Sequence, residues 1–130
     1  MSFEELKQRQ AAVWSAGPYQ GITETITDLH AEVIDRLRPE PGQRFLDLAC
    51  GTGAVAERAV ETGAEVVGID LAPALIEQAK GRAEERGLEI DYRVGDVEAL
   101  ELEDASFDRV GSTCGVMFAP DHPAIARELA

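Results

Sequence analysis

The stretch FLDLACGTGAVAERA, residues 45–59, joins a short apolar run to a glycine turn and then to a helical pattern. The apolar run has the length of a strand buried on both faces of a sheet, yet it contains the acid Asp47. Gly51 and Gly53 follow directly, and a turn made of glycines lets the backbone approach a ligand closely. The stretch therefore predicts a strand, a tight turn and a helix that meet at a ligand.

The sequence on both sides of this stretch alternates between helical and strand patterns. Residues 22–37 carry apolar residues at three- and four-residue intervals, which predicts one helix that ends before Pro39. Strands are expected at residues 45–48, 64–70, 88–94 and 107–112, and further helices at residues 54–62, 73–87 and after Pro123. This alternation is typical of βαβ crossovers. We predict an α/β fold with a Rossmann-like, doubly wound parallel sheet in strand order 3-2-1-4 and flanking helices.

The composition indicates one domain. The chain has 130 residues, and we expect an N-terminal extension or lid at residues 1–21, before a domain at residues 22–130. A formal charge of -13 disfavours nucleic acid and acidic membranes as partners. The two cysteines have no spacing typical of a disulfide framework or a metal site, which favours a cytoplasmic protein without metal. No apolar run approaches the ~20 residues that cross a bilayer.

Acidic residues follow the predicted strands at the edge where such sheets bind ligands, beyond the carboxyl ends. Asp47 lies at the end of the first strand, Asp70 at the end of the second and Asp96 after the third. Asp70 comes about 20 residues after the turn, the place of an acid that binds ribose hydroxyls. The pattern predicts a nucleoside ligand.

Two nucleoside cofactors compete for this site. Residues 51–56 are a literal G-x-G-x-x-A, the dinucleotide fingerprint, so an NAD-binding domain is one alternative. The NAD version of this turn faces an anionic pyrophosphate, which Asp47 would repel. Three acids around the site favour a ligand with a cationic amino group, a sulfonium and no phosphate, which is S-adenosylmethionine.

Four blocks of the sequence, residues 45–59, 66–79, 95–110 and 112–130, resemble consecutive blocks of the class I S-adenosylmethionine-dependent methyltransferases. The likeness is strongest to the small-molecule branch that includes the ubiquinone/menaquinone methyltransferases. The stretch WSAGPYQGI, residues 14–22, resembles the aromatic N-terminal lid of that branch. The resemblance implies an enzyme that transfers a methyl group to a small-molecule acceptor.

The resemblance also implies which residues hold the methionine end of the cofactor. Asp47 would lie near the amino group, and Ala49, Gly51 and Gly53 would contribute backbone contacts. Tyr19 would close over this end as part of the lid.

At the nucleoside end, the resemblance assigns Asp70 to the ribose hydroxyls and Leu71 to the adenine face. Asp96 would accept a hydrogen bond from the adenine amino group, Val97 would contact the ring through its backbone, and Thr113 would offer a carbonyl at the mouth. No catalytic residue is assigned, because methyl transfer depends mainly on positioning.

Two departures from the family pattern matter. Ala72 stands where a serine often caps the following helix, and no Asn/Asp-Pro-Pro-Tyr follows the fourth strand, which argues against methylation of DNA bases. Members of the family also close their sheet with three further strands, which we expect to be absent here. The fourth strand would then be an edge that pairs with a second copy or another chain. A non-catalytic S-adenosylmethionine-binding fragment or subunit is therefore an alternative function.

Several other polar residues have simpler interpretations. His30 falls within the predicted helix 22–37 and is expected to be structural, and His122 to begin a helix. Glu98, with the acidic residues that follow it at positions 101, 103 and 104, is expected to form a solvated loop.

Overall fold

The computed structural model describes residues 1–130 and contains a single four-stranded parallel sheet. The elements in chain order are α1 (Phe3–Ala16), α2 (Tyr19–Glu24), α3 (Thr27–Leu37), β1 (Arg44–Leu48), α4 (Ala54–Glu61), β2 (Glu65–Asp70), α5 (Pro73–Arg86), β3 (Asp91–Val94), β4 (Arg109–Gly111), a 3-10 turn (Val116–Phe118) and α6 (His122–Leu129). The strand order is β3-β2-β1-β4, and every pairing is parallel. The predicted fold class and strand order are confirmed.

The two central strands form the core, and each of their faces is covered differently. Phe45 and Val66 point to one face, where they join the apolar residues of α4 and α5. Leu46 and Leu48 point to the other face, where the irregular segment that contains Leu100 and Phe107 covers them. Because both faces of β1 are covered, its residues from Phe45 to Leu48 are all buried, and that includes Asp47.

The predicted helix over residues 22–37 is wrong at its beginning, because the chain forms two helices there. The backbone leaves helical geometry at Ile26, with φ -121° and ψ 29°. The hydroxyl of Thr25 donates to the carbonyl of Ile22 at 2.7 Å, a local bond that competes with helix continuation. The apolar spacing continues through the break, and it therefore conceals the break in the sequence.

The N-terminal extension is a helix in its own right. Ser2 and Glu5 form a reciprocal capping box at its start, with distances of 2.8 and 3.2 Å between backbone nitrogen and side-chain oxygen. The division that we predict between residues 21 and 22 falls inside α2, and it stays a prediction. No helix combines the length and the apolar character that crossing a membrane requires.

The ends of α5 match the sequence prediction. Pro73 is the first helical residue, and Gly87 ends the helix in the left-handed region with φ 66°. Ala72 provides no side-chain cap, as expected. Its backbone N–H donates instead to Oδ1 of Asp70 at 2.9 Å, so a side chain of the candidate site also holds the start of this helix.

Candidate cofactor site

The predicted site residues gather at the carboxyl edge of the sheet. A cavity of about 370 Å³, here called the large cavity, lies over this edge. It is lined by seven of the ten predicted residues: Tyr19, Ala49, Asp70, Leu71, Asp96, Val97 and Thr113. A second cavity of about 20 Å³, the small cavity, is lined by Asp47 together with Tyr19, Ala49 and Thr113. Gly51 and Gly53 form the turn beneath and line neither cavity.

The turn after β1 requires both of its glycines. Gly51 has φ 58° and Gly53 has φ 96°, in the left-handed region that side chains disfavour. A Cβ atom at Gly51 would lie 2.6 Å from the hydroxyl oxygen of Tyr19, and one at Gly53 would overlap the hydroxyl of Tyr92. The turn is therefore packed from two sides, by Tyr19 of the N-terminal part and by Tyr92 of β3.

Two strained residues flank the site. Ala49, in the turn after β1, has φ 55°, and Cys114, in the loop after β4, has φ 54°. A non-glycine residue in this region costs on the order of 1–3 kcal/mol and persists only where its surroundings hold it. A Cβ atom at Gly115 would overlap the Cβ of Ala49, so the two loops touch. Both strained residues line the large cavity.

Asp70 is fixed by the backbone on both sides of its carboxylate. Oδ2 accepts from the N–H of Gly51 and Oδ1 from the N–H of Ala72, both at 2.9 Å. Burial raises the pKa of Asp70, while these backbone hydrogen bonds oppose the rise. The side chain is thus held rigidly at the wall of the large cavity, where each oxygen has a further lone pair for a ligand donor.

Asp47 is the least satisfied acid of the site. It is 2% exposed, and its Oδ2 has no hydrogen-bond partner. Burial raises its pKa to about 7, the backbone of Ala56 opposes the rise, and the charge of Asp70 adds to it. An unpartnered buried carboxylate oxygen is costly in the absence of a cationic donor. The small cavity on which it lies is where such a donor would fit.

Thr113 contributes a second buried polar atom without a partner. Its Oγ1 makes no hydrogen bond, and the residue lines both the large and the small cavity. The role that the resemblance implies for Thr113, a carbonyl at the mouth of the site, stays a prediction. Thr113 and Asp47 together provide one donor and two acceptors toward the small cavity.

Aromatic residues from three segments cover the large cavity. The ring of Trp14 meets Tyr19 edge-on at 6.0 Å and Phe118 at 5.5 Å between centroids. Gln10 of α1 donates to the carbonyl of Phe118 at 2.7 Å. The N-terminal helices and the 3-10 turn are thereby joined above the carboxyl edge of the sheet.

Asp96 lies at the large cavity but is already paired. Its Oδ2 is 2.6 Å from Nζ of Lys7, which also lies 3.2 Å from the carboxylate of Glu98. Burial alone would lower the pKa of Lys7, but hydrogen bonds to Asp96, Glu4 and Glu98 raise it above its ordinary value. The expectation that Glu98 is solvated is wrong, because its side chain is 6% exposed in this cluster. The acids at positions 101, 103 and 104 are exposed as expected.

Sequence reasoning missed part of the cavity wall. Lys7, Gln10 and Trp14 all line the large cavity from α1. Their spacing of three and four residues places them on one face of the helix. That spacing is the feature of the sequence from which a shared role of these residues could have been predicted. His30, which we expected to be structural, is 6% exposed and lines both cavities.

Comparison with known proteins assigns the family. The methyltransferase domain family matches residues 45–130, more than half of the chain. The chain belongs to this family. Membership confirms the class that the sequence predicts, an S-adenosylmethionine-dependent methyltransferase, and does not favour the NAD-binding alternative.

Three proteins illustrate what this chain is similar to. A Mycobacterium tuberculosis protein described as uncharacterised is 38% identical over 97% of this chain and 46% of its own length. A ubiquinone biosynthesis O-methyltransferase of Xanthomonas axonopodis pv. citri is 38% identical over 90% of this chain and 49% of its own length. A solved complex of Haemonchus contortus phosphoethanolamine N-methyltransferase 2 with S-adenosyl-L-methionine has a TM-score of 0.72 and 28% identity, over 78% of this chain and 24% of that chain. The chain thus spans about half the length of the first two relatives.

Proposed function

We propose that the two cavities together hold S-adenosylmethionine, with its methionine end at the small cavity. The observation that carries this proposal is Oδ2 of Asp47, a buried carboxylate oxygen without a partner. The cofactor's amino group supplies the cationic donor that this oxygen needs. Ala49, Gly51 and Gly53 offer backbone groups to the same end, and Tyr19 covers it.

The nucleoside end then belongs at the large cavity. Asp70 receives the two ribose hydroxyls on the free lone pairs of its carboxylate, and Leu71 packs on the adenine face. Asp96 accepts from the adenine amino group beside its ion pair with Lys7, and Val97 contributes its backbone. Thr113 closes the mouth between the two ends. The support for these roles is that all five residues line one continuous wall.

The methyl acceptor in this proposal is a hydroxyl group on a small, largely apolar molecule. The ubiquinone biosynthesis O-methyltransferase relative supports a hydroxyl acceptor. The apolar part of the large cavity wall, to which Trp14, Ile26 and Phe118 belong, supports an apolar body. When bound, S-adenosylmethionine supplies a methyl group on a positively charged sulfur, and the chain's residues orient the two reactants and exclude water.

Methyl transfer from isotope-labelled S-adenosylmethionine to a panel of phenols and catechols tests this function. We expect labelled O-methyl products, with S-adenosylhomocysteine accumulating only when an acceptor is present. Asp70→Asn should abolish transfer, and the exposed Asp104→Asn should not change it. Binding of S-adenosylmethionine without transfer to any acceptor would favour the alternative of a non-catalytic binding module.

We also propose that the free edge of β4 pairs with β4 of a second copy. In the sheet β4 pairs only with β1, so no strand lies along its other edge. Sedimentation should show a dimer at micromolar concentration. A stable monomer at that concentration would contradict this pairing.

A reducing, cytoplasmic setting is the third part of the proposal. Cys50 and Cys114 are both free, and Cys114 is exposed at the large cavity. Protein isolated with its thiols trapped at cell lysis should carry Cys114 as a free thiol. A disulfide at Cys114 under those conditions would count against this setting.

A further inference from the structure

His30 occupies a place that its sequence context does not reveal. It lies on α3, is 6% exposed, and lines three cavities: the large one, the small one and a polar cavity of about 340 Å³ between α2, α4 and α5. No hydrogen bond joins its ring to the rest of the protein, and its ring nitrogens are not among the fully buried polar atoms without a partner, so they reach open space. A buried imidazole that faces cavities with both nitrogens free is available to a ligand.

His30 lies at the border between the large and the small cavity, because it is one of the residues that line both. Asp70, proposed for the ribose, lines only the large cavity, and Asp47, proposed for the amino group, lines only the small one. The sulfonium of S-adenosylmethionine joins these two ends, so the sulfonium and its methyl group belong at the border. The residues that line both cavities are Tyr19, His30, Ala49 and Thr113. His30 is the one among them with an imidazole nitrogen that can take a proton at neutral pH.

Burial favours the neutral form of His30. Burial lowers its pKa, and the positive charge of Arg58 lowers it further. The other charges of the polar cavity include three acids and three arginines: Glu24, Glu57, Glu61, Arg58, Arg82 and Arg86. In the small cavity, the other titratable residues of the wall are Asp47, Tyr19 and Cys50. In the large cavity they are Asp70, the ion pair of Lys7 with Asp96, Tyr19 and Cys114. A neutral ring can stand beside a sulfonium without repelling it.

We propose that His30 is the base that takes the proton of the acceptor hydroxyl. The inference rests on the proposed function, because it needs a hydroxyl acceptor and bound S-adenosylmethionine. As the bond between acceptor oxygen and methyl carbon forms, the bond between carbon and sulfur breaks and leaves its electron pair on sulfur. The hydroxyl proton passes to the free ring nitrogen of His30, and the products are a methyl ether, S-adenosylhomocysteine and a protonated imidazole.

An NMR titration of the two histidine rings tests the placement without any turnover. S-adenosylmethionine and S-adenosylhomocysteine differ only in the methyl group and the positive charge on sulfur. At saturating ligand, we expect the pKa of His30 to be lower with the first than with the second, by about one unit. His122, which is exposed on α6, should titrate identically in both complexes. Equal pKa values for His30 in both complexes would overturn the proposal.

Enzyme kinetics test the proposed role of His30 as the base. His30→Gln should lower kcat for a weakly acidic phenol by about a hundredfold and leave the dissociation constant of S-adenosylhomocysteine within about threefold. The loss should shrink for nitrophenols, which are already ionised, and His122→Gln should behave as the wild type. An undiminished kcat in a folded His30→Gln protein would also overturn the proposal.

The two experiments separate this proposal from the function on which it rests. Wild-type protein that methylates no hydroxyl acceptor contradicts the proposed function, and the titration still decides whether His30 lies beside the sulfur. If His30→Gln does not fold, His30→Asn and the wild-type titration serve in its place.

Discussion

The ionised form of Asp47 carries a free-energy cost in the folded protein, which either protonation or a cationic ligand relieves. Its carboxylate is 2% exposed, and burial raises its pKa to about 7 from an ordinary 3.8. Between these two pH values the folded chain holds a proton that the unfolded chain releases. The free energy of unfolding therefore falls as pH rises from about 4 to 7. An acid of this kind is kept for binding rather than for stability.

Asp47→Asn should therefore stabilise the protein and impair its binding. At pH 8 we expect a gain in the free energy of unfolding of up to about 4 kcal/mol, which corresponds to the three-unit pKa shift. The gain should vanish near pH 4, and the affinity for S-adenosylmethionine should fall at least about tenfold at pH 8. Urea unfolding at several pH values and calorimetry measure these effects. Parallel pH profiles of the variant and the wild type would contradict the assignment, and Asp104→Asn, on an exposed loop, is the control.

Residues that belong to one continuous motif could be placed from the sequence. Asp47, Gly51 and Asp70 lie where a strand, a turn and a second strand must put them, and periodicity fixes those elements. The pairing of Lys7 with Asp96 could not be predicted, because 89 residues separate them and only the folded chain brings them together. The same holds for His30, whose ring faces the cavities only because α3 packs beside them.

At the scale of elements, one ion-pair cluster attaches α1 to the loop after β3. Lys7 of α1 joins Asp96 and Glu98, and its side chain is only 8% exposed. Removing one partner of a buried cluster leaves the other charges uncompensated, at a cost of about 3–5 kcal/mol for full burial. Lys7 and Asp96 both line the large cavity, so the cluster forms part of its wall.

Lys7→Met, which keeps the length of the side chain, should loosen α1. We expect faster amide hydrogen exchange over α1 and faster dissociation of S-adenosylmethionine, by about tenfold or more. Lys80→Met on the exposed face of α5 is the matched control and should change neither. Unchanged protection of α1 in the Lys7 variant would show that aromatic contacts alone hold this helix.

The limits of sequence reasoning also appear in the elements. The apolar positions of residues 22–37 keep helical spacing across Thr25 and Ile26, so periodicity predicted one helix where two form. The third and fourth strands are shorter than predicted, at Asp91–Val94 and Arg109–Gly111. Both are edge strands with one neighbouring strand each. Their apolar residues are less covered than those of the central strands, and Val94 is 53% exposed. An apolar pattern therefore does not fix where an edge strand begins and ends.

At the scale of the whole molecule, the four carboxyl ends of the sheet and the N-terminal helices surround one site. The sheet supplies the acids, and α1 and α2 supply the cover. In the proposed function the acids favour S-adenosylmethionine, because a phosphate-bearing cofactor would add negative charge beside Asp47 and Asp70, whereas S-adenosylmethionine carries two positive charges against one carboxylate. The preference between these ligands is thus a property of the assembled edge rather than of its glycine turn.

Calorimetry with S-adenosylmethionine, S-adenosylhomocysteine and NAD on the same protein sample tests this preference most directly. We predict that the first two bind, that NAD does not, and that Asp70→Ala weakens the first two by about a hundredfold, while Asp104→Asn leaves them unchanged. Tight binding of NAD, with no heat from S-adenosylmethionine, would contradict the account.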